Sequence, residues 1–186
     1  LAAAELIVVE QGVNALSVRR IGEAAGLNPT LVTYHFGGLY RLLDELCSLN
    51  LDPILNDWIE IGGDDEEEPT IDAVLRAWLT PMLRSAAFTP GGRALVVLDE
   101  LATHGEAALK DKVLSAMETF AAQLRSVLAP FLPQLGEHEL CARLRFLSGA
   151  ALGPPPRVHI APPSDGSRPL DDLSYLLPFA RAALTG

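Results

Sequence analysis

Residues 16–43, LSVRRIGEAAGLNPTLVTYHFGGLYRLL, decide how this chain folds. They read as two short helices joined by a tight turn, with a third helix after a glycine pair. Ser17 is placed to cap the first helix, and Ile21, Ala24 and Ala25 are its expected buried stripe. Gly26 stands where the chain must turn sharply, and glycine takes positive φ at no steric cost. Asn28 is placed to cap the second helix, and Pro29 falls at its first position, where a missing N–H is harmless. Leu31, Val32 and Phe36 are expected to point inward, and Gly37-Gly38 to end the helix. Caps, turn and spacing together are the grammar of a helix-turn-helix.

The rest of the composition predicts an all-α protein. Hydrophobic residues make up 49% of the 186 and aromatics only 6%, with alanine and leucine dominant. No window is long and apolar enough for a membrane span, and Leu1 opens an amphipathic helix, not a signal peptide. The missing initiator Met predicts a start inside a longer gene product. Two cysteines, Cys47 and Cys141, read as reduced thiols of a cytoplasmic protein.

Outward from the opening stretch, Ala2 to Gln11 reads as a helix with Leu6, Ile7 and Val9 on its apolar face. Leu39 to about Ile61 reads as a longer helix using Leu42, Leu43, Leu46, Leu49 and Ile54, with Pro53 as a bend. The acidic run Asp64 to Glu68 reads as a solvated loop. Further helices are expected from Thr70 to about Ala87, from Thr89 to a break near Gly105, from Lys110 to about Leu132, over Glu137 to Leu152 and over Leu170 to Leu184. Residues 153–169 are a proline-rich connection, and Val158-His159-Ile160 is too short to build a sheet. The domains expected are a three-helix helix-turn-helix domain over 1–46 and a helical bundle over 47–186.

A helix-turn-helix places its second helix in the DNA major groove. The charge works against that use, because the chain carries a formal net charge of −10. Up to Asn50 there are only Arg19, Arg20 and Arg41 against Glu5, Glu10, Glu23, Asp44 and Glu45. Contacts must then come from a local patch, from hydroxyls and from helix N-termini. Adjacent Arg19 and Arg20 point about 100° apart, so at most one faces DNA squarely while the other pairs with Glu23.

The stretch Leu16-Ser17-Val18-Arg19-Arg20-Ile21, then Ala24-Ala25-Gly26-Leu27, Tyr34-His35-Phe36 and Gly37-Gly38 resembles the TetR/AcrR family of transcriptional regulators. The resemblance covers roughly the first fifty residues. It implies a repressor that binds a palindromic operator as a homodimer and is released by a small hydrophobic or aromatic effector. No cofactor, metal, membrane or catalysis is expected from the residues themselves. Two departures remove positive charge: Leu39 stands where the family usually has a phosphate-anchoring lysine, and Pro29 where a lysine or arginine is common. They predict weaker, more salt-sensitive binding.

Under that resemblance the DNA-contacting set is Ser17, Arg19, Asn28, Pro29, Thr30, Thr33, Tyr34, His35 and Arg41. Asn28 is either a pure cap or a base contact, and His35 either a backbone clamp or a buried helix-end residue. Trp58, Trp78, Met82, Phe88, Leu101, His104, Met117 and Phe120 are either an effector pocket or ordinary core. Leu144, Leu147, Ala151, Leu173, Leu176, Leu177 and Ala180 are either the seam of an intermolecular four-helix bundle or an intramolecular core. No histidine pair has metal-ligand spacing and no nucleophile or nucleotide fingerprint is present, which leaves an enzyme without machinery. The competing class is an all-helical interaction module that no longer binds DNA strongly.

Overall fold

The computed structural model describes residues 1–59, 61, 70–85, 93–152 and 172–186. Every regular element among them is helical. The α-helices are α1 (Ala2–Gln11), α2 (Val18–Ala25), α3 (Pro29–Phe36), α4 (Leu39–Ile59), α5 (Ile71–Ser85), α6 (Ala94–His104), α7 (Ala107–Leu128), α8 (Glu137–Leu152) and α9 (Leu173–Thr185). Short 3-10 turns cover Val13–Ala15 and Ala129–Phe131. The all-α expectation holds, with the helix-turn-helix at the N-terminus and helices after it. The acidic run, the Thr89–Gly92 opening and the proline-rich connection lie outside the described residues. No helix among those described is long and apolar enough to cross a membrane.

The chain divides into two compact units, Leu1–Pro53 with Arg93–Met117, and Ile54–Gly92 with Glu118–Gly186. The long helices α4 and α7 each contribute a segment to both. In the first unit α1 buries Ala4, Ile7 and Val8, while Leu6 is exposed, so the stripe lies one step round from its expected position. Segments of α4 and α7 add Leu42, Leu43, Leu46, Cys47 and Leu51, then Leu109 and Val113, and α6 adds Val97, Leu98 and Leu101. Leu49, expected inside, is exposed, because the inward stripe of α4 runs through 42, 43, 46, 47 and 51. Asn50 is buried with this stripe, and its Nδ2 donates to the Leu46 carbonyl at 2.9 Å, which removes the cost of an unpaired amide.

Pro53 lies inside α4, Pro81 inside α5 and Pro178 inside α9, so none of the three ends its helix. The core of the second unit is built from Ile54, Trp58 and Ile61 with Val74, Leu75, Trp78, Leu79 and Met82 of α5. The Trp58 ring stacks on Phe120 at a centroid distance of 3.8 Å and 12° between planes. Its Nε1 donates to the Trp78 carbonyl at 3.0 Å, so the buried indole N–H is satisfied. Gln123 Nε2 donates to the Ile61 carbonyl at 3.0 Å. Helix α9 packs on α5 and α8. Arg143 of α8 reaches the Ala183 carbonyl at 2.7 Å and Arg181 of α9 pairs with Asp72 of α5 at 3.0 Å, which ties the three together.

Candidate nucleic-acid interface

The caps form as the sequence dictates. Ser17 Oγ accepts from the Arg20 amide at 3.2 Å, and Asn28 Oδ1 accepts from the Thr30 amide at 2.9 Å. Each satisfies one of the N–H groups a helix start leaves open. Between them Gly26 has φ 66 and ψ 27, a left-handed position that a side chain would strain. Asn28 is therefore a cap by its carbonyl oxygen, which leaves its amide Nδ2 for an outside acceptor.

The sequence reading missed Gly22. It is buried, and a Cβ there would lie 2.9 Å from the Leu27 carbonyl oxygen and 3.0 Å from Cα and Cγ of Pro29. The hydrogen at this position lets α2 approach the start of α3. The expected stripe of α2 is corrected accordingly. Ile21 and Gly22 are buried, whereas Ala24 and Ala25 are exposed, because α3 crosses at the level of Gly22.

Helix α3 has only eight residues, and one narrow stripe faces inward. Val32 is buried and Phe36, one turn on, is half-buried. Leu31 was expected in the core and instead stays 40% exposed. It sits about 100° round the helix from Val32, off the inward stripe. Helical spacing puts Thr30, Leu31 and Tyr34 on the outward side, with Thr33 and His35 on its two flanks. All five are exposed, and Pro29 is half-buried. Tyr34 is 79% exposed, and its ring meets His35 edge-on at 5.3 Å. The buried helix-end alternative for His35 is thereby excluded.

The two arginines of α2 are engaged within the chain. Arg19 Nε donates to Glu23 Oε1 at 2.8 Å, and the hydrogen bond and charge of Glu23 raise the guanidinium above its ordinary value. Arg20 donates to the Gln11 side chain and to the Ala15 carbonyl. Arg41 is exposed near the start of α4 and makes no ion pair with the described residues. The outward surface of the motif is therefore hydroxyl-rich and nearly uncharged.

A second residue missed in the sequence lies 87 positions from its partner: Glu100 of α6 accepts a hydrogen bond from the Val13 amide at 3.0 Å. It anchors the turn that leads into α2. Proximity in sequence offered no signal for this pairing.

The other candidate sets divide. Trp58, Trp78, Met82 and Phe120 are buried in the second unit, where the first two are linked by the indole hydrogen bond and Phe120 lies on Trp58. Leu101, His104 and Met117 belong to the first unit. Leu101 is buried and Met117 half-buried, but His104 is exposed at the last turn of α6 before Gly105. His104 is thus a helix-end residue and not a member of an enclosed apolar lining. Phe88 lies outside the described residues. Among the proposed seam residues, Leu144, Leu147, Ala151 and Ala180 are buried within the chain itself. They are intramolecular core, because α5 occupies the side of α8 and α9 that the stripe pattern left unassigned. Leu173, Leu176 and Leu177 are half-buried. No group of three or more potential metal ligands occurs among the described residues.

This arrangement defines a helix-turn-helix protein with a helical continuation. Residues 1–46 match the sequence model of the bacterial regulatory proteins of the tetR family. Three solved structures share the fold over nearly their whole length. The TetR-family transcriptional regulator PfmR from Thermus thermophilus superposes with a TM-score of 0.70 at 18% identity, covering 99% of this chain and 92% of that one. A protein described as a TetR-family transcriptional regulator from Rhodococcus sp. gives 0.61 at 16% identity, with 98% and 93% covered. SCO7518 from Streptomyces coelicolor A3(2), described as a transcriptional regulator, gives 0.54 at 22% identity, with 100% and 95% covered. No curated protein sequence matches the chain. Residues 1–46 are thus similar to the tetR-family helix-turn-helix sequence, and the chain shares the fold of these three structures.

Proposed function

We propose that this chain represses transcription by holding a palindromic operator as a homodimer, and that a small hydrophobic or aromatic effector releases it. The observation that carries the reading is the outward side of α3, exposed, free of charged residues and capped at both ends, on a motif matched by the family model over 1–46. Asn28, Pro29, Thr30 and Thr33 stand near the base edges, because a recognition helix reads with its N-terminal turns. Ser17, Tyr34, His35 and Arg41 serve the phosphate backbone, and Arg19 joins them when it leaves Glu23. The functional division remains 1–46 for DNA and 47–186 for effector and dimer.

The dimer surface in this reading is the exposed side of α8 and α9. Phe146 is 75% exposed, Tyr175 52% and Phe179 55%, and Gly149 and Ala150 beside them are also exposed. Large aromatics next to small residues suit close helix packing between copies. For the effector, the reading takes the apolar, mostly aromatic cluster of Trp58, Trp78, Met82 and Phe120, which is closed in this structure and would have to open to admit a ligand. Helix α4 belongs to both units and carries Pro53, so it is the element through which an effector would shift the spacing of two recognition helices.

Selection from a randomised duplex library at low salt tests the reading, followed by sedimentation of the protein with the selected DNA. Enrichment of an inverted repeat bound by two chains supports it. A second reading is favoured by the engagement of Arg19 and Arg20 within the chain: an interaction module that has lost strong DNA binding. Failure to enrich any sequence at low salt decides for that module.

A further inference from the structure

We infer that Leu31 reads a base: it contacts the C5-methyl of a thymine, so each half-site of the preferred DNA carries a T·A pair at one fixed place. The inference rests on the DNA-binding reading above and names what part of the sequence that surface selects.

Leu31 is the third residue of α3, in the turn that enters the groove first. It is 40% exposed while its neighbour Val32 takes the inward position at 5%. It shares the outward side with Thr30 and Tyr34, and no charged residue of α3 stands among them. In the major groove the thymine methyl is the apolar feature of the base edges, and all other groups are donors or acceptors. Leucine has nothing to offer a donor or an acceptor. Against guanine, cytosine or adenine it strips water from a polar edge without replacing the hydrogen bond. It therefore favours thymine by contact and disfavours the other bases by desolvation, two contributions of the same sign. The arginines of α2 do not supply base discrimination in this structure, since Arg19 lies on Glu23 and Arg20 on Gln11. A single exposed leucine is ordinary on a protein surface. One in the first turn of a recognition helix, flanked by hydroxyls, stands where an apolar atom changes sequence preference.

The test uses the full chain and duplex sites selected from a randomised library. Each thymine of a selected half-site is replaced in turn by deoxyuridine, which deletes only the methyl. One such position is expected to weaken the wild type about fourfold, the worth of one buried methyl group. Leu31→Ala, with an unchanged melting temperature, is expected to bind the thymine and uracil sites equally, and Leu31→Met to restore the preference. Indifference of the wild type at every thymine, an unchanged thymine preference in Leu31→Ala, or selected sites without a fixed thymine overturns the inference and leaves DNA binding standing. Failure of the wild type to enrich any DNA overturns both.

Discussion

The Val13 amide donates to Glu100 Oε2 at 3.0 Å, so a carboxylate on α6 holds the turn that leads into the helix-turn-helix. The bond is partly buried, and removing the acceptor leaves a buried N–H with no partner. That costs about 1–3 kcal/mol. Glu100→Ala is expected to lower stability by about that amount in urea denaturation, whereas Glu100→Gln keeps an amide oxygen and loses less. Equal losses for the two substitutions would show that the contact is not a hydrogen bond of consequence.

Gly22 tests the packing of α2 on α3. An added Cβ meets backbone atoms of Leu27 and Pro29 at 2.9–3.0 Å, and backbone gives way less readily than a side-chain tip. Gly22→Ala is expected to destabilise the first unit by about 1–3 kcal/mol despite its better helix propensity. Hydrogen exchange should quicken in α2 and α3. An unchanged or raised melting temperature would mean that the two helices separate without cost.

These two cases also show how far the sequence was readable. Caps and turns depend on a residue and its immediate neighbours, so Ser17, Gly26 and Asn28 announced themselves. Burial on a short helix depends on what crosses it. Leu31 and Val32 look alike in a string of letters, and only the crossing of α2 decides which faces outward. Leu144, Leu147, Ala151 and Ala180 stayed open between two readings for a related reason. A stripe shows that a helix buries one side, but not whether the partner belongs to the same chain. Glu100 lay beyond reach altogether, because an exposed-looking carboxylate in an apolar helix gives no hint of a partner 87 positions away.

The Lys112 ammonium donates to Asp44 Oδ1 at 2.6 Å and to Ser48 Oγ at 2.8 Å. Partial burial works against its charge, but the hydrogen bond and charge of Asp44 prevail, and Cys47 and Asp52 add to them, so its pKa stands above the ordinary lysine value. A raised value means stabilisation that is complete below the ordinary value and lost as pH rises through the raised one. Lys112→Met is therefore expected to cost below about 1 kcal/mol at neutral pH, given that both side chains retain solvent exposure. The gap between variant and wild type should close in strongly alkaline solution. A gap that widens there would reverse the sign.

Cys47 is wholly buried on the inward stripe of α4, and burial pushes its thiol up. Lys112 opposes the shift, while Asp44 and Asp52 reinforce it. The thiolate is the reactive form, so both access and ionisation protect this residue. Native protein treated with a maleimide near neutral pH is expected to label at the half-buried Cys141 first, and at Cys47 only after unfolding. Equal labelling rates under native conditions would show that α4 opens locally.

Charge on the interface sets a final expectation. Salt dependence counts phosphates neutralised, with a slope of about −0.9 per phosphate on duplex DNA. Arg41 makes no ion pair with the described residues, whereas Arg19 is held by Glu23 at 2.8 Å. With few cations available, the salt dependence is expected to be shallow, in place of the steeper dependence expected from the sequence. Arg41→Gln is expected to flatten the slope by about one per protomer. Glu23→Gln acts the other way, because it frees Arg19 for a phosphate, tightening binding at low salt and steepening the slope by a similar amount. Should Glu23→Gln leave both affinity and slope unchanged, Arg19 does not face the backbone, and the contacts reduce to hydroxyls, helix ends and Arg41.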